Sequence, residues 1–210
     1  IINLKRGAWI GTGGAAGVLL ILRARWKGAF LLVAVAAIAL ALPPVRERIS
    51  WLGDELRQVH GGRITMWTEV MPTLVRRHPW GLGYRSLTDE MMQDICPRVE
   101  PNRNHLHSNY FQILVATGWI GLAVYLAWMG SALWDAGRFW RLAAGNSPGE
   151  SLAALSVLLA LLALLANGII EYNFGDAELV IAYVLFIGLA AAGARGLQLA
   201  ERCAADRCPA

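Results

Sequence analysis

Two histidines, His105 and His107, stand where a polar, proline-containing stretch gives way to an uncharged run at residues 108–134. An ionisable group at a membrane boundary is costly to desolvate and reads by default as functional. A neutral imidazole at His107 can take a proton from a hydroxyl, a role that typically contributes about 10²–10⁴-fold in rate. It can equally be a neighbour of the helix start that only hydrogen-bonds the first turn, and position alone does not separate the two. His105-Leu106-His107 also suggests a metal pair. No Cys, Asp or Glu sits at helical spacing nearby to complete a ligand set, His60 and His78 would have to arrive by distant folding, and no metal is expected.

Arg63 precedes Trp67 by four residues, so a helix puts both on one face. The planar guanidinium suits two phosphate oxygens. It can also stack on Trp67 as a cation–π pair, and the two roles are compatible. Arg6, at the outer end of another apolar stretch, is similarly placed to meet a charged group at a membrane surface, although interfacial anchoring is the simpler explanation. Arg76 and Arg77 read as solvated or lipid-headgroup contacts. Trp51, Trp67, Trp80 and Trp119 fit an interfacial belt, with sugar binding as the other use of such rings. Gly81 and Gly83 permit positive φ and mark a turn. Gly11-Thr12-Gly13-Gly14 has neither the preceding strand nor the following Lys-Ser/Thr of a phosphate-binding loop, and close helix packing accounts for it.

The elements that must hold these groups are membrane helices. The chain is 56% hydrophobic and 16% charged, against ~25% charged in soluble domains. Its apolar residues come in blocks: 7–22, 28–45, 108–134, 151–170 and 179–194 lack Asp, Glu, Lys and Arg. About 20 helical residues cross a bilayer core of about 30 Å, and flanking Arg side chains can extend the shorter runs by snorkelling. The pattern predicts an all-α, polytopic transmembrane bundle with one span per run. Residues 1–45 hold two helices, 46–108 form a long extra-membrane loop, and 109–210 hold three helices and a tail. Within the loop, Ile49, Leu52, Leu56 and Val59, then Trp67, Val70, Met71 and Leu74, recur at helical spacing on either side of a His60-Gly61-Gly62 breaker. They predict two amphipathic helices lying on the membrane surface or against the bundle. Residues 85–104 read as a loop.

The net charge of +4 reports topology rather than a nucleic-acid partner. Arg23, Arg25 and Lys27, Arg138 and Arg141, and Arg195, Arg202 and Arg207 mark cytoplasmic connections and a cytoplasmic tail. By alternation, 46–108 and the short 171–178 turn face outward. Cys96 then lies across the membrane from Cys203 and Cys208, which leaves no disulfide framework and no zinc pattern. The chain begins Ile1-Ile2-Asn3 without Met, so it is expected to be part of a longer protein.

Together these residues resemble the O-antigen ligase and O-antigen polymerase group of bacterial inner-membrane enzymes. His107-Ser108, nine residues, then Gly118-Trp119-Ile120-Gly121 is similar to the ligase pattern of His, a small polar residue and a Gly-x-x-Gly. Gly62-Arg63 with Trp67 looks like the family's Arg-x-x-x-Trp segment, His78-Pro79-Trp80-Gly81-Leu82-Gly83 like its proline–glycine turn, and Arg6-Gly7-Ala8-Trp9 like an Arg-Gly-x-Trp element. The resemblance implies the C-terminal half of a GT-C-like, metal-independent, inverting glycosyltransferase that needs no cofactor. Its donor would be a glycan on undecaprenyl diphosphate and its acceptor a lipid A–core sugar hydroxyl at the periplasmic face. His107 would be the general base, with His105 close enough to exchange roles, while Arg6 and Arg63 would hold the diphosphate. The N-terminal half of the same protein would complete the pocket.

Three other readings stand beside it. An O-antigen polymerase would join the same donor to a second lipid-linked glycan. A protein oligosaccharyltransferase would need an acceptor-peptide groove. A polysaccharide or lipid transporter would show charged or broken helices at mid-membrane, whereas here the polar residues gather at one surface.

Overall fold

The computed structural model describes Gly13, Gly17, Val18, Leu20, Ile21 and Ala24 and residues 26–47, 62–99 and 104–207. The expected helix over 49–59, most of the first apolar run, and Arg6, Trp51, His60 and Cys208 lie outside them. The only regular secondary structure among the described residues is helical, with no strand among them. The order is α1 (Trp26–Ala41), α2 (residues 63–77), α3 (Asp89–Ile95), α4 (Asn109–Ala143), α5 (Pro148–Ile170) and α6 (Ala177–Arg207). The protein is thus an all-α, multi-pass membrane protein. Three helices, α4, α5 and α6 to Ala204, are long and apolar enough to cross a bilayer, and α1 is a shorter apolar helix of 16 residues.

Helices α4, α5 and α6 pack on one another as an antiparallel bundle. Ala132, Ala136, Val157, Leu161 and Ala190 bury its middle, and Tyr125, Met129 and Tyr183 bury the end nearer the loops. Small residues at these contacts let the backbones approach closely. Local signals set the ends. Ser147 caps α5 by accepting the Glu150 N–H, with Pro148 in the first turn, and Glu150 complements the helix dipole. Residues 135–143, expected in a connection because Asp135, Arg138 and Arg141 interrupt the apolar run, continue α4 instead. Charged side chains do not end a helix whose other face stays packed, and Ala136 and Ala143 are fully buried.

A second core sits over the N-terminal end of α4. Met66, Val70 and Leu74 of α2 pack with Leu87, Met92, Cys96, Val99, Leu106 and Val115. The expected amphipathic helix over Trp67–Leu74 is therefore present and lies against the bundle. It carries one wide turn, a π-helical stretch at Met66–Val70, a local form frequent at functional sites. Residues 85–104 are not wholly loop: α3 forms within them, capped by Thr88, which accepts the Met91 N–H, with Asp89 and Glu90 in its first turn. Met92 anchors it in this second core. Arg98 pairs with Glu69 at 2.9 Å and ties the segment after α3 back to α2.

Helix α4 is broken at Gly118, whose φ of 69° and ψ of −171° are non-helical. The break removes the usual partners of the Val115 and Ala116 carbonyls, and the turn at residues 78–83 replaces them. Leu82 N–H donates to Val115 O at 2.9 Å and Gly83 N–H to Ala116 O at 2.8 Å. This approach is backbone to backbone. A Cβ on Gly118 would lie 2.5 Å from the Pro79 carbonyl oxygen, and one on Gly81 (φ 93°) would collide with the Ala116 carbonyl. The Gly118 break and the Gly81-x-Gly83 turn are two halves of one joint. Gly118→Ala is expected to lower stability by roughly 1–3 kcal/mol from backbone strain alone, read as a lower unfolding midpoint in detergent. An unchanged midpoint would mean the two backbones are not locked together.

Candidate active site

Helix α2 brings Arg63 to the joint between the two cores. Its Nη2 donates to Oε1 of Glu171 at 2.8 Å, across 108 residues of sequence. Arg63 thus turns towards Glu171, and stacking on Trp67 is not the role this geometry gives it. Trp67 instead donates its Nε1–H to the Leu106 carbonyl at 2.7 Å. The Leu106 N–H donates to Oε1 of Gln112 at 2.9 Å. Leu106 is fully buried, so its peptide groups are held on both sides. The next residue, His107, has a φ of 50°, a conformation uncommon outside glycine.

His107 is 8% exposed, and its Nδ1 lies 3.9 Å from Oε2 of Glu171. One carboxylate therefore faces both the guanidinium and the imidazole. Burial alone would raise the Glu171 carboxyl, but His107 and the Arg63 charge outweigh burial and hold it below its ordinary value. Glu171 directly follows α5, and a buried network fixes the turn it opens. The side-chain amide of Asn109 donates to Oδ1 of Asn173, Oδ1 of Asn109 accepts the Phe174 N–H at 2.9 Å, and Tyr183 donates to the Leu164 carbonyl at 2.7 Å. Ser108 Oγ donates to the Gly168 carbonyl at 3.4 Å, joining the start of α4 to the end of α5.

The His105 ring packs, tilted, against His107, with ring centroids 4.3 Å apart, and against Tyr172 at 5.8 Å. It opens onto a cavity of about 660 Å³ that also takes in Tyr84, Arg85, Asn104, Glu171 and Tyr172. Arg85 (φ 57°) and Asn104 (φ 46°) join His107 as the non-glycine residues with positive φ among those described. Two of the three line the cavity and the third lies behind it, and strained backbone of this kind gathers at functional sites. Burial pushes the Tyr172 hydroxyl up, so it is a neutral hydrogen-bonding group at neutral pH. A second cavity of about 400 Å³ shares Tyr84, Gln112, Ala116 and Tyr172 with the first and continues along α4 past Val124 to Trp128. Its lining there is apolar.

The structure thus brings Arg63, Trp67, His105 and His107 together, with Gly81 and Gly83 one layer away in the joint that bends α4. His78 is exposed at the far end of α2, as are Arg76 and Arg77, and Arg77 faces Asp94 at 3.5 Å. Trp80 and Trp119 are exposed, as an interfacial belt requires, whereas Trp67 is partly buried against Phe111. Among the described residues no three His, Cys, Asp or Glu side chains converge as a metal site would need. Glu171 is the residue that sequence reasoning passed over. A signal was present: it opens the short turn between the last two apolar runs, at the same end of the bundle as His107.

No curated protein and no solved structure matches the chain. The family model described as O-antigen ligase matches residues 1–126, a stretch that contains α2, the Gly81–Gly83 turn, both site histidines and the Gly118 break. With more than half of its length so matched, and with three helices able to cross a bilayer, the chain is a membrane enzyme belonging to the O-antigen ligase family.

Proposed function

We propose that this protein moves a glycan from undecaprenyl diphosphate onto a sugar hydroxyl of lipid A–core at the periplasmic face of the bacterial inner membrane. The observation that carries the reading is the meeting of Arg63 and His107, from separate segments, beside one cavity at one end of the bundle. His107 acts as general base on the acceptor hydroxyl. That oxygen attacks the anomeric carbon of the donor, and the bond from this carbon to the diphosphate breaks with its electron pair left on the phosphate oxygen. Diphosphate is already a good leaving group, so no acid and no metal are needed. Arg63, with Arg6 from the N-terminal segment, stabilises the charge that gathers on the phosphates. In-line attack inverts the anomeric centre.

The cavities suit these partners. Tyr84 and Tyr172 offer aromatic faces, and Asn104 offers hydrogen bonds, in a space within the usual range for small-ligand sites. The apolar extension along α4 suits an isoprenoid chain, which gains by leaving water. Sidedness is supported by the charges: Arg138, Arg141, Arg195 and Arg202 lie towards the opposite end of the bundle from His107.

The test is to incubate the purified full-length protein with lipid-linked glycan and three acceptors in turn. Transfer to lipid A–core is the expected result. Transfer only to a second lipid-linked glycan would make the protein a polymerase, and transfer only to a peptide would make it a protein glycosyltransferase. Absence of transfer with all three, together with movement of glycan across vesicles, would replace the enzyme reading with a transporter.

A further inference from the structure

Arg85 has no part in the chemistry assigned to Arg63 and His107, yet it lines the same cavity. Three other arginines at this end of the bundle each face a carboxylate: Arg63 meets Glu171, Arg77 meets Asp94 and Arg98 meets Glu69. Arg85 forms no ion pair among the described residues, and its guanidinium lies over the Tyr84 ring at 5.4 Å. Its charge is also felt across the cavity lining: burial pushes the Tyr172 hydroxyl up, and Arg85 pulls against that push. The backbone on either side is held. Gly83 N–H donates to the Ala116 carbonyl at 2.8 Å, and Leu87 is buried in the second core. Between these anchors Arg85 takes a φ of 57°, which glycine or asparagine adopts far more readily than arginine. An unpaired guanidinium is thus set at the cavity on a backbone that does not favour arginine.

The other groups of the cavity narrow the choice of ligand. Asp176 lines it as well, and no ion pair joins it to Arg85. A bare phosphate or sulfate would meet Arg85 but gain nothing from that carboxylate. A neutral sugar could give its hydroxyl protons to Asp176 and lie on the tyrosine rings, but would leave the guanidinium without an anion. A sugar that carries an anionic group satisfies both, because the anion takes the parallel N–H groups of Arg85 while the hydroxyls go to Asp176 and Asn104. Arg85 and His105 line the polar cavity, and neither lines its apolar continuation along α4. The anion therefore belongs to the glycan bound beside the histidines, away from the isoprenoid chain. We propose that Arg85 forms an anion subsite that selects an acceptor sugar bearing a phosphate or carboxylate group. The proposal rests on the reading of this cavity as the acceptor site.

Glucose 6-phosphate and glucuronate are the probes, with glucose as the neutral comparator, titrated calorimetrically into the full-length protein in detergent. At least one of the two anionic sugars is expected to bind about 10- to 100-fold more tightly than glucose, as hydrogen bonds to a charged group allow. Which of them binds more tightly identifies the anion as phosphate or carboxylate. Arg85→Asn is expected to abolish that preference and leave glucose binding unchanged. Asparagine is at ease at positive φ, so this variant keeps the turn, and a merely structural arginine would not distinguish charged from neutral sugars. Arg85→Lys keeps the charge and is expected to keep part of the preference. No preference in the wild type, a preference that survives Arg85→Asn, or its complete loss in Arg85→Lys overturns the proposal. Inhibition of transfer assigns the substrate: the anionic sugar is expected to compete with lipid A–core, and competition with the lipid-linked donor alone overturns the acceptor assignment. Calorimetry needs no turnover, so the two readings fail separately. Transfer to lipid A–core without an anion preference removes the subsite alone, whereas an Arg85-dependent preference in a protein that transfers nothing removes the acceptor role on which the proposal rests.

Discussion

His107→Ala is expected to reduce glycan transfer by about 10²–10⁴-fold while leaving the protein folded in the membrane. The separation of chemistry from folding follows from where the neighbouring bonds lie. Leu106, not His107, is the residue clamped by Trp67 and Gln112, and the start of α4 is tied to the end of α5 by Ser108 and Asn109. Alanine at 107 keeps all of these. It also leaves Glu171 paired with Arg63 at 2.8 Å, so no isolated charge is created. The measurement is transfer to lipid A–core together with the unfolding midpoint. Near-normal transfer would remove His107 from the chemistry and turn attention to His105, which packs against it and opens onto the cavity. A His105→Ala variant run in parallel decides between them, since the two rings lie too close for position to do so.

The membrane helices were legible because a charge-free run long enough to cross a bilayer has few other stable places to go. Runs 108–134, 151–170 and 179–194 became α4, α5 and α6. What the runs concealed was the break in α4. A glycine among apolar residues is ordinary in membrane helices, and nothing adjacent to Gly118 announces a positive φ. The cause sits elsewhere, in the turn at Gly81 and Gly83 whose N–H groups fill the gap. The two glycine motifs were visible separately, and only their approach gives them one purpose. Helix α3 was hidden for a different reason. Seven residues with Met92 as their one buried member give too little periodicity to separate helix from loop.

The site divides in the same way. Arg63, Trp67 and His107 could be singled out by residue type and spacing, but the partners assigned to them could not. Trp67 reads as a stacking platform for Arg63 when only the four-residue spacing is known; in the fold its indole N–H is taken by Leu106. Local sequence gives Glu171 a position but no partner, because its meaning comes from a guanidinium 108 residues away. Its place in the short turn at the same end of the bundle as His107 was inferable from the alternation of the apolar runs, and that is as far as one-dimensional reasoning carries a tertiary ion pair.

Arg63→Lys is the second large effect expected, a loss of about 10²–10³-fold in kcat/KM of the kind seen when one fixed donor to a developing oxyanion is removed. The substitution is informative because it keeps the charge. A lysine ammonium can still reach Glu171 and preserve the ion pair, and α2 remains anchored by Met66, Val70 and Leu74 in the second core. What it cannot do is present two parallel N–H groups to two phosphate oxygens. A loss with an unchanged unfolding midpoint therefore isolates planar, two-point recognition from simple charge neutralisation. The division between kcat and KM says when the contact matters: a fall in kcat means Arg63 binds the departing diphosphate more tightly than the donor, whereas a rise in KM alone means it holds both equally. Full activity in Arg63→Lys would leave Arg63 as the structural partner of Glu171, and the diphosphate would have to be held by cations outside the described residues, Arg6 first among them.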